Sequence, residues 1–210
     1  MPPHTHPFRS RFIGVLAAVA LVACGSVPQV HLHTLMPVDP PARVASAPEV
    51  PAIYLEQVRL PAQVDQPQWL VRLADGSLVA LEQERWASPL RDEFRQALLE
   101  QLVRRHGALD ARGAGPAPSV YVRIAVDVRR LESLLGREAR IEGSWALVPN
   151  QGRATPLRCD FLISVPVGAG MDALADGHRH AVTRLADAIA ANLPRVGRGA
   201  PADCTDAGRR

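Results

Sequence analysis

The chain has 210 residues, 47% of them hydrophobic and 21% charged, with a formal net charge of +3. All 24 Lys-or-Arg positions are arginine, which excludes a P-loop, whose lysine reaches the nucleotide phosphates, and any Schiff-base lysine. Arginines and acids are interspersed, so the pattern offers no clustered basic face of the kind that binds nucleic acid.

Residues 1–23 read as a bacterial lipoprotein signal peptide. Arg9 and Arg11 form a basic start, an apolar run extends from Phe12 to Ala23, and Leu21-Val22-Ala23-Cys24 ends it with a small residue before a cysteine. The run of about 12 residues falls short of the roughly 20 that span a bilayer. The mature chain is expected to begin at Cys24, carrying diacylglycerol on the thiol and a further acyl group, such as palmitate, on the amine. Several acyl chains, at about 0.8 kcal/mol per buried methylene, exceed the two-signal threshold for stable anchoring. Losing Arg9 and Arg11 lowers the formal charge from +3 to +1.

Residues 24–51 hold Pro28, Pro37, Pro40, Pro41, Pro48 and Pro51, and read as a semi-rigid tether at about 3.1 Å per residue where the chain is polyproline-like. Within it, residues 30–35 alternate and fit an edge strand. Residues 52–194 follow as one domain, long enough and apolar enough to bury a core. Residues 53–60 are strand-like. Residues 69–73 and 78–81 flank Asp75-Gly76, a pair suited to a type I′ hairpin with positive φ at both central residues. Ser88-Pro89 opens a helix, with Ser as the cap and Pro in the first turn. Leu90, Phe94, Ala97, Leu98 and Leu102 share one of its faces, and Gly107 stops it.

Val120, Val122, Ile124, Val126 and Val128 alternate with Tyr121, Arg123, Ala125, Asp127 and Arg129, a strand with one buried and one wet face. Residues 141–148 and 157–167 repeat the theme, so the three make an antiparallel meander. A last helix places Met171, Leu174, His178, Val182, Leu185, Ile189 and Leu193 at helical spacing, with Pro194 beyond it. The expected fold is α/β, a single compact domain whose mixed, largely antiparallel sheet is packed by two long helices. Residues 195–210, rich in Gly, Ala, Pro and Arg, read as a disordered tail.

Three segments carry a family likeness. They are the Leu60-Pro61 that runs into Val64-Asp65-Gln66-Pro67-Gln68-Trp69, the stretch Glu84-Arg85-Trp86-Ala87-Ser88-Pro89-Leu90, and the lipobox itself. Together they resemble the PqiC-type auxiliary lipoproteins of MCE (ABC-type lipid transport) systems over roughly residues 30–193. The family tends to Tyr-Tyr-x-Leu where this chain has His31-Leu32-His33-Thr34-Leu35, and to Leu-Asp-Arg-Pro where it has residues 64–67. The resemblance implies a periplasm-facing, non-enzymatic lipoprotein that works with an MCE-domain protein in moving lipid between two membranes. Gly25, rather than Asp, after the lipidated cysteine implies the outer membrane. A homo-oligomeric ring and direct contact with phospholipid are left open.

Asp65, Pro67 and Trp86 are the candidate partner-binding residues. Each also has a structural reading: Trp86 as an apolar plug where the helix starts, and Asp65 as an acceptor of backbone hydrogen bonds in a turn between Pro61 and Pro67. No Gly-x-Ser-x-Gly, His-Glu-x-x-His or Cys-x-x-Cys occurs in the sequence, so no catalytic residue, cofactor or metal site is expected. His178 and His180, two apart on a helix, point about 200° from each other. His31 and His33 share a side only if their segment is extended, and lack an evident third ligand. Glu82, Glu84, Asp92 and Glu93 flank a helix start, where acids favour the dipole. Cys159 and Cys204 form either a disulfide or one buried and one exposed thiol. The competing function is a structural envelope lipoprotein bracing another assembly, with a periplasmic hydrolase third.

Overall fold

The computed structural model describes residues 28–45, 50–113, 115–116, 118–151 and 155–204; the signal peptide and Cys24 lie outside them. In chain order the elements are β1 (His31–His33), β2 (Ala52–Leu55), β3 (Gln68–Arg72), β4 (Leu78–Trp86) and α1 (Leu90–Glu100), which closes in a π-helical turn (Gln101–Arg105). There follow β5 (Leu109–Asp110), β6 (Val122–Leu134), β7 (Glu138–Pro149), β8 (Leu157–Pro166), α2 (Met171–Ala190) and α3 (Leu193–Gly197).

β6 is the hub of one mixed eight-stranded sheet. β7 pairs with it antiparallel from Val122↔Pro149 to Leu134↔Glu138, and β8 extends β7 antiparallel. The start of β6 pairs parallel with β2, and its end meets β3 at Arg72↔Leu134. β3 and β4 form a hairpin, and β1 lines the outer edge of β4 in parallel. The long ladders are antiparallel, so the sheet is the mixed, largely antiparallel one the alternation implies.

Val122, Ile124, Val126 and Val128 of β6, Ile141, Trp145 and Leu147 of β7, and Phe161 and Ile163 of β8 are buried in one cluster. The same cluster takes Leu90, Phe94 and Leu98 of α1 and Leu174, Val182, Leu185 and Ile189 of α2. Each fully buried side chain of this size contributes about 1.5–3 kcal/mol. The alternate strand residues Arg123, Arg158 and Asp160 are exposed. α2 lies close on the sheet because residue 177 is glycine: a Cβ there would stand 2.3 Å from Val167 Cγ1 and 3.0 Å from Ala139 Cβ.

Several local expectations are corrected. The β3–β4 turn is not type I′: within the turn Gly76 alone has positive φ, at 88°, and Asp75 does not. Leu73 N–H donates to Ser77 O at 2.9 Å and Gly76 N–H to Leu73 O at 3.0 Å, so three residues close the loop, with glycine at its left-handed position. Pro89, not Ser88, is the N-cap of α1. Its carbonyl accepts from Asp92 and Glu93 at 2.8 and 3.1 Å, while the Ser88 hydroxyl donates to Glu93 at 2.9 Å.

α2 ends at Ala190, short of the expected Leu193, and Pro194 beyond it is the second residue of α3, because a first helical turn needs no N–H from it. The C-terminal tail therefore does not lose structure at Arg195: α3 runs to Gly197 with Val196 buried, and a disulfide ties Cys204 to Cys159. The tether also ends earlier than residue 51. β1 pairs with β4, Leu35 is buried in the core, and Val44 N–H donates to Arg104 O at 2.8 Å.

Candidate functional site

β3 begins and β4 ends at the same end of their hairpin, since Gln68 is level with Arg85. The loop entering β3 therefore meets the segment leaving β4. Trp86 N–H donates to Pro67 O at 3.0 Å and fastens them. The loop is turned by Pro61, whose carbonyl accepts from Val64 and Asp65 N–H at 3.1 and 3.3 Å. The Asp65 carboxylate does not cap that turn; it accepts from the Arg91 guanidinium in the first turn of α1. That bond raises the Arg91 pKa further. On the same side, Gln57 Nε2 donates to Asp92 at 3.1 Å.

The result is an open pocket of about 600 Å³ lined by Asp65, Gln66, Pro67, Trp86, Ala87, Ser88, Pro89, Arg91 and Asp92. It gathers all three candidate residues, drawn from segments about twenty positions apart. The walls are proline, alanine and the tryptophan edge, with an ion pair at one rim.

The pocket has a rigid back. Trp86 is buried and tilted against Trp69 with ring centroids 4.1 Å apart. Trp69 Nε1–H donates to Ser133 Oγ at 2.8 Å, and the Ser133 hydroxyl is hydrogen-bonded to His178 Nε2 at 2.8 Å. Burial lowers the His178 pKa from 6.5 to about 4, so the imidazole is neutral at neutral pH. The plug reading of Trp86 is thus correct for its ring, while its edge still lines the pocket.

Glu93 is not an exposed helix-start carboxylate. It is 5% exposed and accepts from Thr34 Oγ1 at 2.6 Å, Leu35 N–H at 3.0 Å and Ser88 Oγ at 2.9 Å. It clamps the segment after β1 to α1 and to the pocket lip. His31 and His33 do face the same way and share one partner, Glu84, at 3.0 and 2.5 Å. Burial pushes Glu84 up, and the hydrogen bonds and charge of the two histidines outweigh it, leaving the carboxyl below its usual range. Among the described residues no group of three or more His, Cys, Asp or Glu is arranged to hold a metal ion.

His180 faces away from His178, with Nδ1 at 2.9 Å from Asp176 O. Cys159 and Cys204 lie across the sheet from the pocket, on the β8 side. No helix among the described residues is long and apolar enough to cross a membrane. Sequence reasoning missed Arg91 and took Glu93 for an exposed dipole-facing acid; the signal that could have corrected Glu93 is its place on the same helix face as the buried Leu90, Phe94 and Ala97.

The family model of the ABC-type transport auxiliary lipoprotein component matches residues 33–190, which include every pocket residue. Two solved structures share the fold. An uncharacterized protein is 18% identical, with a TM-score of 0.59 over 74% of this chain and 99% of that one. A DUF330-family protein from Xanthomonas campestris is 19% identical, with a TM-score of 0.56 over 81% of this chain and 97% of that one. A search of curated proteins returns no match.

Proposed function

We propose, from the premise that this chain belongs to the ABC-type transport auxiliary lipoprotein family, that it is an outer-membrane lipoprotein facing the periplasm. It docks the far end of a periplasm-spanning MCE-domain protein and so helps complete a path for lipid across the envelope. Its role is to hold, not to catalyse. One observation carries this reading: the two most family-like segments, 60–69 and 84–90, converge on the open pocket. A surface of rigid aromatic and proline walls with one charged rim suits a protein partner.

Disulfide pairing of Cys159 with Cys204 fits an oxidising compartment, and Cys24 supplies the anchor. In-cell photocrosslinking from a reactive side chain at Gln66, in the pocket, tests the reading, with Asp160 on the exposed sheet face as control. Recovery of an MCE-domain protein from Gln66 but not from Asp160 is expected. Recovery of porins or cell-wall proteins alone from both positions would overturn it and favour a bracing role.

A further inference from the structure

β1 runs parallel to β4 with His31 level with Glu84 and His33 with Trp86. Reading back from His31 therefore moves away from the Trp86 pocket and toward Leu78, where the β3–β4 turn lies. Gln29 and Val30 line one cleft with Met171 and Asp172 at the start of α2. β8 ends there too, with Pro166 level with Glu138, and Arg72↔Leu134 sets the β3–β4 turn beside the β6–β7 turn. The chain thus enters the domain at the end where two turns and the β8–α2 connection meet.

That end carries apolar side chains with little over them: Leu73 is 42% exposed, Leu78 43%, Val79 37% and Leu135 44%. The seven residues from Cys24 to His31 span at most about 25 Å when extended. The six from Glu84 back to Leu78 cover about 20 Å of strand. A lipid on Cys24 therefore reaches the level of the turns, and a tether this short holds that end at the bilayer. Its charges are mixed, with Asp75 and Asp172 against Arg137, so electrostatic attraction to anionic lipid does not explain the patch.

We propose that the end of the sheet bearing Leu73, Leu78, Val79 and Leu135 is a bilayer-contacting surface that dips into the interface of the membrane holding Cys24. The occupant is phospholipid, argued from where the chain enters and how short its tether is; the inference rests on the lipid-anchor reading of Cys24. Apolar side chains of this size enter the headgroup and acyl boundary by burying area, so the contact is insensitive to salt.

The test uses the full acylated chain in vesicles of phosphatidylcholine with brominated acyl chains. An environment-sensitive fluorophore is placed at Leu78→Cys, at Leu135→Cys, or at Gln66→Cys in the pocket as control, the native Cys159 and Cys204 being bridged. Strong loss of emission at 78 and 135, unchanged by added salt, with little loss at 66, is the expected result. Emission at 78 and 135 as unquenched as at 66 overturns the proposal, as it would if a second copy or a protein partner covered the patch. Mass measurement of the N-terminal peptide separates the two failures. Acyl chains on Cys24 without quenching sink only the surface, whereas a chain without acyl groups sinks the lipid-anchor reading as well.

Discussion

The two ends of the β3–β4 hairpin are built differently. At the Trp86 end, a ring stack, the Trp86 to Pro67 hydrogen bond and the Asp65–Arg91 pair fix a shaped pocket. At the Leu78 end, a three-residue loop closes on Gly76 and leaves leucines uncovered. A surface for a protein of defined shape must be held rigid before the partner arrives, because ordering side chains at docking costs affinity. A surface for a fluid bilayer needs only apolar area. In the proposed account the same two strands supply both.

The largest effect comes from breaking the rigid end. Trp69→Ala removes the ring beneath Trp86 and the donor to Ser133, and is expected to cost about 3–5 kcal/mol in urea unfolding, with the pocket crosslink lost as well. Next is acid. His178 has a folded pKa of about 4 against 6.5, so between those values the unfolded chain binds the extra proton. Stability is complete above pH 6.5 and falls as pH drops toward 4, by about 3 kcal/mol in all. Urea midpoints across that range should show it, and His178→Gln should flatten that part of the slope. A wild-type curve as flat as the variant's would mean His178 is not held neutral.

Smaller effects sharpen the contrast. Arg91→Ala removes a half-exposed guanidinium but leaves the Asp65 carboxylate, only 8% exposed, without its donor, and should cost about 1–3 kcal/mol of stability while abolishing partner crosslinking from Gln66. Equal losses in stability and crosslinking would make Arg91 structural. Leu78→Ser should leave the unfolding midpoint within about 0.5 kcal/mol of the parent, while reducing quenching of the label at position 135. A large stability loss would mean Leu78 belongs to the core rather than to a contact surface.

Much of the fold was legible because its signals are local. β6, β7 and β8 announce themselves by alternation, and the burial of Val122, Ile124 and Val126 against exposed Arg123 follows from a period of two. The segment around His31 showed the same alternation and became β1. What escaped depends on distant partners. Asp65 looked like a turn residue because its own loop is prolyl, and only the fold brings Arg91 to it.

Ser88 before Pro89 has the sequence of a cap, but Glu93 competes for its hydroxyl. Glu93 itself is tolerated inside because three donors converge on it from residues 34, 35 and 88. The tail looked too poor in apolar residues to order, and one covalent link from Cys204 to a core strand supplies what composition lacks. The pocket was half legible: residues 65, 67 and 86 were named from the sequence, and their convergence required the register of β3 against β4.

The most direct test of the two-ended account is one in-cell photocrosslinking experiment on the lipidated chain, with the reactive side chain at Gln66 in one strain and at Leu135 in another. The account predicts an MCE-domain protein attached at 66 and phospholipid, without that protein, at 135. An MCE-domain protein attached at 135 and absent at 66 would contradict it.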